Sequence, residues 1–315
     1  MNISVISPGP LTTVQDAGRF GSMQSGFSPG GCMDTRSMKI ANILVGNEKG
    51  EGVLEMTMMG GTFSFDCTSV IAVTGADMKP TLNGEECPMY KAVEVKKGDV
   101  LSFSRADSGM RTYLAVAGGF DLPLVMGSLS TNLKCKLGGF QGRKLQKGDE
   151  IPLRQSIELA FIGKRKYKNE VKYTKSITLR AVLGPQDDYF TERGIETFFG
   201  KTYTVTDKSD RMGIRLDGEK IESKNGVDII SDGVTTGSVQ IPASGTPIIM
   251  MADRQTTGGY AKIATVLTTD LHLIAQAKPG TVIRFQKVTA EEAIRLYKAA
   301  EKEIEIFEYS MYFER

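Results

Sequence analysis

The sequence predicts an all-β fold with a few short helices, and three observations carry that reading. Glycine is abundant, 35 of 315 residues, or about one in nine, against a usual share of about 7%. A glycine turn ahead of an alternating strand recurs three times: Lys97-Gly98-Asp99 before VLSFSR, Lys147-Gly148-Asp149 before EIPLR, and Pro279-Gly280-Thr281 before VIRFQK. Asn83-Gly84, inside an alternating apolar stretch, is the strongest two-residue hairpin signal in the chain.

Apolar runs separate these glycines throughout, so turns rather than disorder explain the composition. Three segments read as helices. Asp34 is placed to N-cap one in which Met38, Ala41, Leu44 and Val45 share a face and Gly46 is the stop. PQDDYFTERGIETFFG reads as one or two short helical turns. Thr289 and Glu292 form a capping box for the last helix, with Ala293, Leu296, Tyr297 and Ala300 on one side. All three are expected to pack on sheet. TTDLHLIAQ, which holds the single histidine, His272, reads as a strand.

At 315 residues the chain is long for one typical domain. A basic stretch, GKRKYKNEVKYTK (Gly163 to Lys175), reads as a solvated linker. It divides a first β lobe, 1–165, from a second, 176–315, that carries the C-terminal helix.

Composition excludes several function classes. Lys plus Arg total 39 against 37 Asp plus Glu, a formal net charge of +2, so electrostatics provide no reason to expect nucleic acid or an anionic membrane as partner. No signal peptide is recognisable at the start, and no run approaches the ~20 apolar residues that span a bilayer. Cys32, Cys67, Cys87 and Cys135 contain no CxxC pair, which argues against a disulfide framework or zinc knuckle and for reduced thiols in the cytoplasm. With one histidine, a Ser-His-Asp or Cys-His nucleophile and a His-rich metal site are both disfavoured. Chemistry is left to carboxylates, Arg, Lys, carboxamides and backbone N–H groups.

Four polar, glycine-rich segments can supply them. The first runs from Ser7 to Asp34 and holds Gln15, Asp16 and Arg19. The second runs from Val116 to Leu145, with Gly118-Gly119, Ser128, Ser130, Thr131 and Arg143. The third, SDRMGIRLDG, holds Arg211 and Arg215. The fourth, Ser231 to Val266, holds Gln240, Asp253, Arg254, Gln255 and Gly258-Gly259. Glycine loops can turn backbone N–H groups toward an anion while Arg contacts it with two N–H groups. Neither GxxxxGK[ST] nor GxGxxG is present, so no nucleotide loop is assigned. Residue types alone support a β-rich protein whose polar loops bind a small anion or amide.

Read together, the ordered blocks PGPLTTVQDAGRFG, GGCMDTRSMKIANILVGN, LEMTMMGGTFSF, TGADM, YLAVAGGFDLPLVMGSLST, GGFQGRKLQKGDEI, SDRMGIRLDG, SDGVTTGSVQIPASGTPIIMMADRQTTGGYAKIATV and AQAKPGTVIRF resemble the biotin-dependent carboxyltransferase-type, or allophanate hydrolase subunit 2-like, family. They extend from about Pro8 to Phe285. The family's GAMD block stands here as Gly31-Cys32-Met33-Asp34; Cys for Ala is a small-for-small change, and no catalytic role is read into Cys32. The resemblance implies a cyclophilin-like β-barrel architecture. It also implies work in a complex, with homologues of the 5-oxoprolinase B and A subunits, in the ATP-dependent hydrolysis of 5-oxoproline to glutamate. ATP with Mg would act in the assembled complex. The MKM biotin-attachment motif is absent, so no covalent biotin is expected on this chain. Two alternatives stay open: half of a carboxyltransferase acting on urea-like amides with carboxybiotin supplied by other proteins, and a non-catalytic regulatory partner of a B-subunit or kinase-inhibitor homologue.

Opening a stable lactam needs an activated amide oxygen, for instance one phosphorylated by ATP, with the protein supplying position and charge stabilisation. Asp253, Arg254 and Gln255 are the expected catalytic residues. They follow the apolar run PIIMM and precede Thr-Thr-Gly-Gly, read as a turn. Gln15, Asp16, Arg19, Arg211 and Gln240 are the expected substrate-binding residues, and no metal ligand is assigned.

Overall fold

The computed structural model describes residues 1–155 and 159–313, and the chain separates into two compact units. The first comprises Met1–Phe20, Gly30–Tyr173 and Glu303–Arg315; the second comprises Gly21–Pro29 and Thr174–Lys302. In chain order the first unit holds β1 (Asn2–Ser7), β2 (Thr12–Gln15), α1 (Thr35–Leu44), β3 (Val53–Thr57), β4 (Thr62–Phe65), β5 (Ser69–Asp77), β6 (Thr81–Leu82), β7 (Glu85–Glu86), β8 (Ala92–Val95), β9 (Val100–Ser102), β10 (Ser108–Val116) and β11 (Glu150–Pro152). The second holds β12 (Ser176–Leu183), α2 (Glu192–Gly200), β13 (Thr202–Val205), β14 (Gly213–Gly218), β15 (Asp228–Gly233), β16 (Ser238–Gln240), β17 (Ile248–Met250), β18 (Thr257–Tyr260), β19 (Lys262–Val266), α3 (Leu271–Ala275) and β20 (Val282–Lys287). A last helix, α4 (Ala290–Phe313), begins in the second unit and ends in the first. The fold is mostly β, as the turn pattern predicts.

In the first unit a six-stranded sheet, β11-β1-β4-β9-β6-β7, faces a five-stranded one, β2-β3-β10-β5-β8. Ile3, Phe63, Phe65 and Leu101 of the former pack with Leu54, Ile71, Val73 and Leu114 of the latter in one core. The other face of the five-stranded sheet, with Val70, Ala72, Tyr113 and Ala115, is covered by Met38, Ala41 and Leu44 of α1 and by Ile304 and Phe307 of α4. Burial on both faces is why β5 carries the apolar run VIAV; β3 is buried throughout although Glu55 interrupts it. The second unit is a closed barrel, β12-β19-β16-β17-β14-β13-β20, with a separate two-stranded ribbon, β15-β18.

The local signals act as the sequence predicts. Asn83 and Gly84 both have positive φ, 54° and 87°, and join β6 to β7. Asp34 accepts the Ser37 N–H at 2.9 Å, capping α1, and Gly46 (φ 74°) ends it. The three glycine turns share one geometry. Gly98, Gly148 and Gly280, at φ 93°, 88° and 88°, donate 2.8 Å hydrogen bonds to the carbonyls of Phe65, Val5 and Val205. Those three residues donate back to the carbonyls of Asp99, Asp149 and Thr281 at 3.1, 2.8 and 2.9 Å. Only a residue without Cβ adopts such φ without strain.

Three local expectations are corrected. TTDLHLIAQ is not a strand: Thr268–Asp270 form a 3₁₀ turn and His272 lies in α3. Asp270 is the cause, accepting the Arg180 backbone N–H at 2.8 Å and its Nε–H at 3.0 Å, which turns the chain after β19. The basic stretch is not a free linker over its first part. Arg165 and Tyr167 are buried between outward lysines, and the Arg165 guanidinium donates to Leu44 O, Ile43 O and Met311 O at 2.6, 2.7 and 3.0 Å. It thereby caps the carbonyl end of α1, where a cation is favoured. Finally, α4 is 24 residues long rather than short. Tyr297, on its expected inner face, is 47% exposed, whereas Ile304 and Phe307 supply the buried anchors.

Candidate functional site

In the first unit the residues expected to bind substrate are bound into one knot with the segment Val125–Thr131. Asp16, at the end of β2, accepts four hydrogen bonds. These come from Gly18 N (2.8 Å), Ser128 Oγ (2.7 Å), Leu129 N (2.6 Å) and Ser130 Oγ. Arg19 donates through Nη2 to Ser130 O at 2.6 Å and through Nε to Val125 O at 3.4 Å. Gln15 donates through Nε2 to Thr13 Oγ1 at 3.0 Å and to Thr131 O at 3.1 Å. All three side chains are buried. Within this trio, Gln15 Oε1 and Arg19 Nη1 are buried with no hydrogen-bond partner among the described residues.

A cleft elsewhere in this unit is lined by Gly75, Asp77, Glu86, Cys87, Tyr90 and Tyr173 and contains none of the expected site residues. Its reactive groups are quiet. Burial pushes the Cys87 thiol up to about 11 and the Tyr90 phenol up to about 12, so neither ionises near neutral pH.

The second unit gathers the remaining candidates around the ribbon. Asp253 and Arg211 form a two-point ion pair, Nε to Oδ2 at 2.8 Å and Nη2 to Oδ1 at 3.0 Å. Arg254 is 5% exposed and donates to two carbonyls, Val234 O at 2.9 Å and Met251 O at 3.3 Å. Burial lowers its pKa from 12.5. It ties the end of the ribbon to the end of β17. Thr-Thr-Gly-Gly is not a turn: Thr257–Tyr260 is strand β18, in register with β15 as Asp232↔Gly258 and Gly233↔Thr257. The reason is lateral room, since Gly258 is buried with Gln240 and Gln255 at its side. A Cβ there would lie 2.6 Å from Gln240 Nε2 and 2.9 Å from Gln255 Nε2. Gln240 is 2% exposed and Gln255 is exposed. Two carboxamide nitrogens therefore converge on one point.

Sequence reasoning missed the residues beside that point. Lys262 stands directly opposite Gln240 on the neighbouring strand. Its Nζ donates to Asp232 Oδ2 at 2.7 Å and Gly233 O at 3.1 Å. Gln186 accepts the Lys262 backbone N–H at 3.2 Å and donates to Asp232 Oδ2 at 3.3 Å. Asp232 is held below the usual carboxyl range, chiefly by the Lys262 hydrogen bond. A signal existed: Lys262 is the one charge in the strand KIATV, and a lysine is almost never fully buried without a partner. This assembly brings two carboxamides, a buried ammonium and a carboxylate close together, with Gly258 leaving the backbone bare where the carboxamides approach it; Gln240 Nε2 also donates to Tyr260 O at 3.4 Å. Among the described residues no three of His, Cys, Asp and Glu gather to hold a metal ion.

Residues 25–287 match the carboxyltransferase domain, subdomain A and B. The chain belongs to that family. It is 37% identical over 297 residues to the C subunit of 5-oxoprolinase from Escherichia coli (strain K12), covering 93% of each chain. Against the C subunit of 5-oxoprolinase from Haemophilus influenzae the figure is 36% over 305 residues, covering 95% of each. Urea amidolyase of Saccharomyces cerevisiae is 33% identical over 309 residues, 92% of this chain but 17% of that protein. Among solved structures, the Kluyveromyces lactis urea amidolyase superposes with a TM-score of 0.89 at 31% identity over 97% of this chain and 20% of that one. The barrel of the second unit and the Arg211–Lys262 cluster lie within the family match, whereas Gln15, Asp16 and Arg19 precede it. No helix among the described residues is long and apolar enough to cross a membrane.

Proposed function

We propose that this chain is the C subunit of an ATP-dependent 5-oxoprolinase, working in the cytoplasm with homologues of the A and B subunits to hydrolyse 5-oxoproline to glutamate. One observation carries the reading: the match to the two bacterial proteins extends over nearly the whole of both chains.

The geometry of the second unit supports it. When a lactam opens, negative charge develops on the amide oxygen, and preorganised N–H donors aimed at that oxygen are the most effective means of stabilising it. The carboxamides of Gln240 and Gln255, which meet beside Gly258, are proposed to supply such donors; Gln240 Nε2 also donates to Tyr260 O at 3.4 Å, and Gln255 is exposed and able to adjust. Arg211, Asp253 and Arg254 are proposed to position this site from behind. In the first unit, Gln15 and Arg19 retain one binding atom each, while the Asp16 carboxylate is filled. The residues described do not by themselves fit an ATP–Mg complex: no acidic cluster gathers and no phosphate-binding loop occurs. The nucleotide is assigned to the other subunits, and the isolated chain is expected to be inactive.

The likeness to urea amidolyase favours a second reading, half of a carboxyltransferase supplied with carboxybiotin from elsewhere; that activity would be sensitive to avidin. Co-purification with the A and B subunits, followed by 5-oxoproline-dependent ADP release, separates the two. Stable co-elution and avidin-insensitive ADP release are expected. Separate peaks at micromolar concentration, or a requirement for carboxybiotin, would overturn the proposal.

A further inference from the structure

We infer that the stretch Lys164–Asn169 is a docking edge for an extended segment of a partner protein in which acidic and apolar residues alternate. The stretch is already joined to β8. Ala92 N donates to Arg165 O at 2.9 Å and Tyr167 N to Tyr90 O at 2.8 Å, which sets Lys166 directly opposite Lys91. With those bonds on either side of it, Lys166 turns its own N–H and C=O away from β8. Neither has a partner among the described residues. An open edge of this kind is a template for one more strand.

Room and charge say what that strand carries. Between this stretch and the last turns of α4 lies a groove of about 490 Å³, lined wholly by the first unit, with Ile306, Phe307, Ser310 and Met311 as its helical wall. Ile306 is 61% exposed. Arg165 and Tyr167 are buried on the side of that helix, meeting Met311 O and the Phe307 ring, whereas Lys164, Lys166 and Lys168 are exposed. Side chains of an added strand alternate in the same way, one set over the helical wall and the other over the lysines. Lys166 and Lys168 form no ion pair among the described residues, and the Lys164 ammonium lies 5.1 Å from the centre of the Phe161 ring. The acid that lines the groove, Glu303, is taken by Arg36 and Tyr167 at 2.9 and 2.8 Å. Lys91 and Lys166 are like charges directly opposed, which is destabilising, and a carboxylate beside them removes the repulsion. Edge lysines are also a common guard against aggregation. Here they exclude a second copy of this edge, since lysine would face lysine, but a guard gives no reason for the groove and its exposed isoleucine. The inference does not depend on the activity proposed above.

The test uses the full chain and three labelled synthetic peptides: alternating Glu and Val, alternating Lys and Val, and the Glu and Val composition rearranged with all Glu in one block. Fluorescence anisotropy is expected to show the alternating acidic peptide binding with a Kd below about 1 mM, about tenfold or more tighter than either of the others. Hydrogen exchange over Lys164–Asn169 should slow when it binds, as the free N–H groups find acceptors. Lys166→Glu with Lys168→Glu, at two exposed positions that leave the fold intact, should weaken it about tenfold or more, and Ile306→Asp should weaken it as well. Failure of the alternating acidic peptide to bind would overturn the inference. Equal binding of the block peptide, or unchanged exchange over the stretch, would do the same by showing loose charge attraction without an added strand. Binding of vesicles rich in phosphatidylserine in the absence of peptide binding would make the lysines a membrane surface and equally sink it.

Discussion

Asp16 in the first unit and Lys262 in the second are both charged and buried, yet they are used in opposite ways. The Asp16 carboxylate is filled by Gly18, Ser128, Leu129 and Ser130, all from the loops that it joins. Lys262 instead gives its hydrogen bonds to Gly233 O and to Asp232, a carboxylate that stays 53% exposed. A carboxylate ringed by four donors braces the loops that supply them; an ammonium shared with a half-exposed carboxylate ties its strand to the ribbon strand β15. Polar, glycine-rich sequence looks alike in both places, and only the completeness of the hydrogen bonding tells them apart.

The largest effect should come from emptying the filled site. Asp16→Ala strands two hydroxyls and two backbone N–H groups inside the first unit. Breaking such a buried charged network costs about 3–5 kcal/mol, to be read from chemical denaturation of the purified chain. Asp16→Asn, which keeps one acceptor oxygen, should cost less than half of that. A loss below about 1 kcal/mol in Asp16→Ala would mean that the knot does not brace the loops.

Crowding the close contact at Gly258 should harm function more than the fold. Gly258→Ala places a methyl group 2.6 and 2.9 Å from the two carboxamide nitrogens. Both are far ends of flexible side chains, so they move aside and the pair of donors is lost. Losing one such donor typically costs 10²–10³ in kcat; because Gln255 can readjust, a fall of about thirtyfold or more is expected in the assembled complex, with Tm lowered by less than about 4 °C. Full activity in a complex bearing Ala at this position would end the role given to the Gln240–Gln255 pair.

Arg254 lies between these extremes. Its guanidinium meets two carbonyls and no carboxylate among the described residues. Arg254→Lys keeps the charge but reaches one carbonyl at most, so we expect about 1–2 kcal/mol lost in stability together with a modest fall in turnover. Activity falling a hundredfold with stability unchanged would instead make Arg254 a direct contact to the reacting group.

The fold was legible in the sequence wherever a local rule acted alone. Asn83-Gly84, the Asp34 cap and the three glycine turns need only neighbouring residues, and each forms as read. His272 and Thr-Thr-Gly-Gly were misread because distant residues decide them: Asp270 meets Arg180 ninety positions away, and Gly258 pairs across to Asp232. The site was half legible for the same reason. Gln240 and Gln255 stand in a visibly polar segment, whereas Lys262 declares itself only as a charge in an apolar strand. Gln186 and Asp232 become part of the site only when β15, β18 and β19 come together.

The smallest effect concerns the three glycine turns, which have equal backbones and unequal side chains. In the first unit the turns carry Asp99 and Asp149; in the second the equivalent residue is Thr281. Asp99 is held below 3.8, chiefly by the Asn83 side chain and then by Lys96 N, and Asp149 chiefly by Arg143. A carboxyl that titrates lower in the folded state adds stability above pH 3.8, and that gain disappears as pH falls through its folded value. Amide protection at Gly98 and Gly148 should therefore decline below about pH 4, while Gly280, beside an uncharged threonine, shows no such step. Arg143→Gln should flatten the response at Gly148 and leave Gly98 unchanged, because Asp99 relies on Asn83 instead. Parallel loss of protection at all three glycines would show that acid loosens the whole chain together and that these carboxylates do not set the local stability of their turns.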